Sequence, residues 1–317
     1  MQKKENIKFS YKASLKSMDT EETLDLMFYR PIGFFWAKLA YRLGVTPNAI
    51  TIASIFIGIG AGVGFFFGSY HYWWNILGAC LLILANSFDS ADGQLARITH
   101  QYSRVGRILD GLSGDIWFAA IYAAICLREN VTSEFFSAHH WVIWVVAAGT
   151  GFFHATQAAM ADYYRQFHLY FVKGKEGSEL DSAQDLWVKF HALSWRHNFF
   201  QKLGLMFYTN YTTGQEKRTP WMQKFRRLLK SRFGDEVPQG LREEFRAQSK
   251  PLMKYTNMLS FNTRTIALFV AILIFQMPWL YFAFELTVLN IMLVYMMWRH
   301  ERICKNFIKI AENYDKE

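Results

Sequence analysis

The sequence predicts an all-α integral membrane protein with six transmembrane helices, an N-terminal amphipathic interfacial helix and a helical cytoplasmic insertion. Three observations carry this. Hydrophobic residues make up 52% of the 317 positions and aromatic residues 18%, while charged residues are only 19%; a soluble chain carries nearer a quarter. Apolar blocks long enough to cross a bilayer recur along the chain. Between the fourth and fifth of them lies one long polar block rich in Lys and Arg.

Taken in order, residues 1–45 form an N-terminal cytoplasmic or interfacial segment. Its first forty residues have no continuous apolar core, so no secretory signal is expected. From Thr20 to Gly44 the apolar side chains Leu24, Met27, Phe28, Phe35, Trp36, Leu39 and Leu43 recur at helical spacing. Asp19 or Thr20 is a fitting cap and Gly44 a fitting stop, and Pro31 is expected to divide the helix. Arg30, Lys38 and Arg42 lie on other faces, which makes it a candidate to lie in the membrane interface; an ordinary surface helix is the equal alternative.

Residues 46–164 hold the first four spans, at about 49–67, 72–87, 107–127 and 141–163. Residues 165–260 form the basic cytoplasmic insertion. The last two spans fall within 261–298, at about 265–277 and 279–298, split by Pro278; the first is short and has to draw on residues 259–264 or be tilted. Residues 299–317 form a cytoplasmic tail. Basic residues flank the spans on one side, and the positive-inside rule puts both termini, residues 89–115 and the insertion in the cytoplasm. In the insertion, Leu186, Trp187, Phe190, Leu193, Phe200 and Leu203 read as one amphipathic helix. Arg226, Arg227, Lys230 and Arg232 form a basic cluster suited to anionic lipid. The net charge of +9 fits a membrane surface better than nucleic acid, for which no motif is present. Cys80, Cys126 and Cys304 are too scattered for a disulfide framework or a zinc site.

Chemistry concentrates in residues 89–115, DSADGQLARITHQYSRVGRILDGLSGD, where two apolar stretches meet. Ionisable groups at such places are costly and usually functional. On a helix Asp92, Gly93 and Ala96 share a face with Asp89, so two carboxylates point at one spot beside small residues. Clustered hard oxygen ligands suit Mg2+ or Mn2+, and a divalent ion at such a surface suits phosphate chemistry. A purely structural reading pairs the aspartates with Arg97, Arg104 and Arg107. Gly111 and Gly114 read equally well as helix-packing positions. His154 and Gln157 read as hydrogen-bonded packing residues, and Glu285 as a group near the outer end of its span that reaches water.

These residues resemble the CDP-alcohol phosphotransferase family, whose pattern is D-x2-D-G-x2-A-R-x8-G-x3-D-x3-D. Asp89, Asp92, Gly93, Ala96, Arg97, Gly106 and Asp110 stand at its spacing, and a TPNxIT stretch at residues 46–51 is also similar to the family. The pattern's last Asp falls on Gly114, with a carboxylate one residue later at Asp115. The resemblance implies that Asp89, Asp92, Asp110 and Asp115 hold metal, Mg2+ or Mn2+. It implies that Asn48, Thr51, Gly93, Ala96, Arg97, Ser103 and Gly106 surround the nucleotide, and that the last Asp is the base that deprotonates the acceptor. On a regular helix position 114 lies about 40° from Asp110 and position 115 about 140° away. A π-bulge near Gly111 and Gly114 is therefore expected to bring Asp115 back into the site.

The function expected is phospholipid synthesis: transfer of a phosphatidyl group from CDP-diacylglycerol to a small polar alcohol, with CMP released. Arg165 and Arg264 are expected to hold an acceptor phosphate, such as that of an inositol or glycerol phosphate, with interfacial anchoring as the plainer alternative. CDP-choline or CDP-ethanolamine transfer to diacylglycerol is the second reading. A divalent-cation transporter or an inactive scaffold is the reading from another class. The partners expected are a CDP-linked donor, a polar alcohol acceptor, membrane lipids and, as an option, a second copy of the chain in a homodimer, but no nucleic acid.

Overall fold

The computed structural model describes residues 10, 11, 14, 20–102, 104–174, 178, 180–234 and 236–314; Asp19, one of the two expected caps, lies outside them. The described residues are mostly helical, with no strand among them. In chain order the α-helices are α1 (Arg30–Leu43), α2 (Pro47–Phe67), α3 (Tyr72–Thr99), α4 (Arg104–Thr132), α5 (Glu134–Ala138), α6 (His140–Lys173), α7 (Ala183–Ala192), α8 (Phe199–Lys217), α9 (Pro220–Phe233), α10 (Gln239–Ser249), α11 (Met253–Met258), α12 (Phe261–Phe269), α13 (Trp279–Phe284) and α14 (Asn290–Asn313). Six stretches are long and apolar enough to cross a membrane: Pro47–Phe67, Tyr72–Thr99, Leu109–Thr132, His140–Lys173, Gln239–Ile274 and Trp279–Asn313. The chain is an all-α membrane protein. The fifth span does draw on residues before Thr265, since α12 begins at Phe261.

Packing divides the chain into two compact units, Met1–Ala155 with Phe261–Thr287, and Thr156–Ser260 with Val288–Glu317. In the first unit, a π turn at Asp25–Tyr29 leads into α1, and Pro31 sits in the first turn of the α segment, so it marks a change of helix type rather than a break. Gly44 ends α1 in the left-handed region at φ 72°, where a residue without Cβ fits best. Gly33, Ala37 and Ala40 form the buried face of α1. A Cβ added at Gly33 would lie 2.8 Å from Ser90 Oγ, so the backbone of α1 lies close against α3. Met27, Phe35 and Leu43 face outward, the stripe an interfacial helix needs.

Small residues also bring α2 against its neighbours. A Cβ at Gly64 would lie 2.9 Å from Gly78 Cα of α3, and one at Gly58 would lie 2.0 Å from the Trp117 ring of α4. Without an apolar driving force between helices in lipid, close backbone approach is what holds spans together. Trp117, Ile121, Leu82, Phe65 and Phe282 fill the resulting core.

The second unit has an aromatic core of its own. Phe171 stacks on Phe245 at 4.0 Å between ring centroids, with Phe167, Phe225 and Phe307 around them. The amphipathic helix expected across residues 186–203 is two helices, α7 and α8, interrupted between Ala192 and Phe199. The interruption is held by Lys202, which is buried and donates to the Leu193 carbonyl at 2.6 Å, satisfying a group at the end of α7. The basic cluster on α9 is not wholly open to lipid. Arg226 donates to Tyr163 Oη and Leu180 O, and Arg232 to Ala311 O. These guanidiniums cap internal acceptors, which leaves fewer charges for a membrane surface.

Candidate active site

The site is built where α3 and α4 carry their acidic residues past each other. Asp89 and Asp92 lie one turn apart on α3. Asp110 lies near the start of α4. One oxygen from each of the three carboxylates lies within 4.8 Å of the others. A six-coordinate Mg2+ spans about 4.2 Å between opposite oxygens, twice its ligand distance, so the three fit one small divalent ion with little adjustment. Their exposure differs. Asp92 is buried, Asp89 half-buried and Asp110 exposed.

Two hydroxyls fix the inner pair. Thr51 Oγ1, from the first turns of α2, hydrogen-bonds to Asp92 Oδ2. Ser113 Oγ, three residues after Asp110 on the same face of α4, donates to Asp89 Oδ1 at 2.6 Å. Both hydroxyl residues are buried. Thr51, expected beside the nucleotide, gives its hydroxyl to the Asp92 carboxylate. Ser113 was missed, although its i+3 spacing from Asp110 carried the signal.

The other expected nucleotide residues lie on α2, α3 and α4. Asn48 is half-buried in the first turn of α2, Gly93, Ala96 and Arg97 are half-buried on α3 after Asp92, and Gly106 is half-buried on α4 before Asp110. A Cβ at Gly93 would sit 3.3 Å from Arg97 Nη1, so the guanidinium lies over the glycine. Arg97 Nε also donates to the Ser14 carbonyl at 2.6 Å. Ser103 lies outside the described residues, as do the side chains of Arg104 and Arg107.

Asp115 is not brought to this point. The expected π-bulge is absent: α4 is α-helical without interruption from Arg104 to Thr132. A regular helix carries position 115 to another face, and Asp115 is not one of the carboxylates that share the common point. It is exposed, and its electrostatic partner is Arg264. Gly114, at the position where the family pattern has its last Asp, has open space where a Cβ would be.

Arg264 departs from expectation as well. Only 2% exposed, it is not available as an open clamp for an acceptor phosphate. Its Nη1 pairs with Glu285 Oε1 and lies 2.8 Å from His154 Nδ1. Tyr122 Oη donates to Glu285 Oε2 at 2.5 Å. Glu285 is fully buried, so it does not reach water. Burying a charge in an apolar interior demands an opposite charge and hydrogen bonds, and these four side chains supply both. The reading of His154 as a hydrogen-bonded packing residue holds, and Gln157 donates to Asn290 Oδ1. Arg165 belongs to the second unit, where its guanidinium donates to Asn257 Oδ1 at 3.3 Å.

Residues 44–169 match the CDP-alcohol phosphatidyltransferase family. The matched stretch contains Thr51, the three convergent aspartates and Ser113. No curated protein matches the chain.

Proposed function

We propose, from the match of residues 44–169 to the CDP-alcohol phosphatidyltransferases, that the protein transfers a phosphatidyl group from CDP-diacylglycerol to a small polar alcohol, releasing CMP. The family supports head-group transfer from a CDP-linked alcohol; the donor and direction are our reading. The observation that carries it is the convergence of Asp89, Asp92 and Asp110 on one point. Apolar side chains border those aspartates: Phe88, stacked edge-on against Trp36, precedes Asp89, and the exposed Leu112 follows Asp110. A donor whose diphosphate carries acyl chains suits such a border.

Asp89, Asp92 and Asp110 would hold a divalent ion, Mg2+ or Mn2+. What such an ion supplies is neutralisation of charge on the diphosphate and the departing CMP. The chain's own groups do the rest. Arg97, over Gly93, gives the nucleotide end a cationic contact. The acceptor oxygen attacks the lipid-bearing phosphorus, the bond from that phosphorus to the CMP oxygen breaks, and CMP leaves. We assign the acceptor's proton to Asp110, the exposed carboxylate of the three. A positioned carboxylate contributes typically 10²–10⁴-fold as a base. We place the site on the cytoplasmic face, on the charge pattern of the flanking segments.

With Arg264 neutralised by Glu285, the sequence argument for an anionic acceptor rests on Arg165 alone. Neutral and phosphorylated alcohols therefore enter the test on equal terms. Purified protein is given radiolabelled CDP-diacylglycerol with Mg2+ and a panel of both kinds of alcohol, and CMP release is followed. Release with at least one acceptor is expected. Turnover of CDP-choline with diacylglycerol alongside none of CDP-diacylglycerol would reverse the assigned donor. Metal flux into liposomes without any CMP release would replace the enzyme reading with a transporter.

A further inference from the structure

The second unit has a cavity of about 50 Å³, lined by α6, the segment before α7, and α8. One water needs about 10–15 Å³, so the cavity has room for a small polar group. Its wall carries two carboxylates, Asp162 on α6 and Asp181 before α7. Each is held by a neighbour. Gln166 Nε2 donates to Asp162 Oδ1 at 3.4 Å, and Tyr208 Oη donates to Asp181 Oδ2 at 3.0 Å. Neither carboxylate forms an ion pair among the described residues. The cation beside this wall, Arg226, is otherwise engaged. Its guanidinium lies 3.6 Å from Glu216 Oε1 and donates to Tyr163 Oη and the Leu180 carbonyl.

Gln215 is an independent sign of a ligand. It lines the same cavity and is only 4% exposed. Its Nε2 donates to the Ala159 carbonyl at 2.8 Å, which fixes the orientation of the amide. Oε1 is left as an acceptor with no donor among the described residues. A buried acceptor without a donor is costly, and a ligand that donates relieves it.

We infer that this cavity is a binding site for a primary ammonium group. Such a group has one positive charge and three N–H donors. The wall offers it two carboxylates and the Gln215 oxygen. The rings of Tyr208 and Tyr211, nearly parallel with centroids 6.5 Å apart, line the same space, and aromatic rings attract ammonium ions. A quaternary ammonium has no N–H and would leave Gln215 Oε1 without a donor. An anion would be repelled by both carboxylates. The position along α6 says which amines can arrive. This helix has 34 residues, and a bilayer core takes about 20, which counted from His140 end at Ala159. Asp162 follows within a turn, where the helix leaves the hydrocarbon. Amine head groups of lipids and small soluble amines both reach that level, and they share the chemistry the site recognises. The site uses no member of the aspartate trio, and the inference does not depend on the proposed reaction.

The test reads binding rather than turnover. Full-length protein in phosphatidylglycerol nanodiscs is titrated with ethanolamine at constant ionic strength. Binding is followed by saturation-transfer NMR, with empty discs as the blank. Choline and ethylene glycol, the uncharged isostere, are titrated alongside. Ethanolamine is expected to saturate, choline to bind at least about tenfold more weakly, and ethylene glycol not to saturate. Asp162→Asn and Asp181→Asn are each expected to weaken ethanolamine about tenfold, the worth of one hydrogen bond to a charged group. Asp185→Asn removes an exposed charge from the start of α7, outside the cavity, and is expected to change nothing. Equal weakening by all three variants is what general attraction to an acidic surface gives, and it overturns the inference. So does choline or ethylene glycol binding as tightly as ethanolamine, or the absence of saturable ethanolamine binding. If Asp162→Asn is not monodisperse, Asp181→Asn and Asp185→Asn decide alone, since both positions are exposed. Discs doped with phosphatidylethanolamine name the source. A fall in ethanolamine affinity in the doped discs supports the site as one for a lipid head group, and an unchanged affinity supports it as one for a soluble amine.

Discussion

The first unit contains two clusters of ionisable side chains, and they are solved in opposite ways. At Arg264, Glu285, His154 and Tyr122, a buried carboxylate meets a buried guanidinium, and the remaining polar atoms are filled by an imidazole and a phenol. At Asp89, Asp92 and Asp110, three carboxylates converge, and the groups that fix two of them are hydroxyls. A hydroxyl orients a carboxylate without neutralising it. The first cluster is closed on itself; the second is arranged around a point that a cation fits. An intramembrane charge is a sign of function when its neighbours aim it, and a sign of architecture when they cancel it. Helix α4 takes part in both, with Asp110 and Ser113 turned to one and Tyr122 to the other.

The largest effect is expected from breaking the aimed cluster. Asp92→Asn removes a charged oxygen ligand but keeps the shape and a hydrogen-bonding partner for Thr51. CMP release should fall by at least about 10⁴-fold, roughly 5 kcal/mol of barrier, with the melting profile in detergent close to wild type. Activity retained with unchanged Mg2+ dependence would show that the trio is not the metal site.

The cancelled cluster should fail in a different coordinate. Arg264→Met leaves Glu285 and His154 buried without their cation, and breaking a buried pair this way costs about 3–5 kcal/mol. The yield of monodisperse protein and its thermal stability should drop together. Adding Glu285→Met removes the orphaned charge as well, and the double variant should recover most of the loss. A double variant as unstable as the single one would mean that Arg264 contributes something other than charge balance to the first unit.

The sequence made the two clusters unequally visible. The trio was legible because its spacing is local: Asp89, Asp92 and Gly93 fall on one helical face, and the motif around them has fixed intervals. The six spans were legible because apolar length is a one-dimensional property. The Arg264–Glu285 pair was not, because its members sit on different spans and their meeting is a matter of tertiary packing. Each was therefore read alone, Arg264 as a phosphate clamp and Glu285 as a group reaching water. The split between α7 and α8 was hidden for a related reason. Leu193 fits the apolar period across the break, and the clamp that holds the break, Lys202 on the Leu193 carbonyl, reads in sequence as an ordinary surface charge. Asp115 failed through a premise. The family pattern adds a fourth carboxylate beside these three, which α4 could supply only by a distortion, and nothing in the sequence forces a π turn there.

Asp115 is where the comparison can be sharpened with the smallest change. It lies on α4 between the two clusters, and the charge that acts on it is Arg264 rather than the trio. If that pairing describes its role, Asp115→Asn removes only a secondary partner of a guanidinium that Glu285 already balances. Turnover should then change by less than about threefold, under roughly 0.7 kcal/mol, and Mn2+ affinity should not move. Stability should also stay near wild type, because Asp115 is exposed and surface substitutions usually stay within about 0.5 kcal/mol. Asp110→Asn offers the contrast. It removes both a ligand and the group assigned to take the acceptor's proton, so it should lose turnover as Asp92→Asn does. Should Asp115→Asn instead abolish CMP release while Mn2+ and CDP still bind, the base would be Asp115 after all. Arg264 would then belong with the catalytic machinery, since it would be the group that holds the base in place.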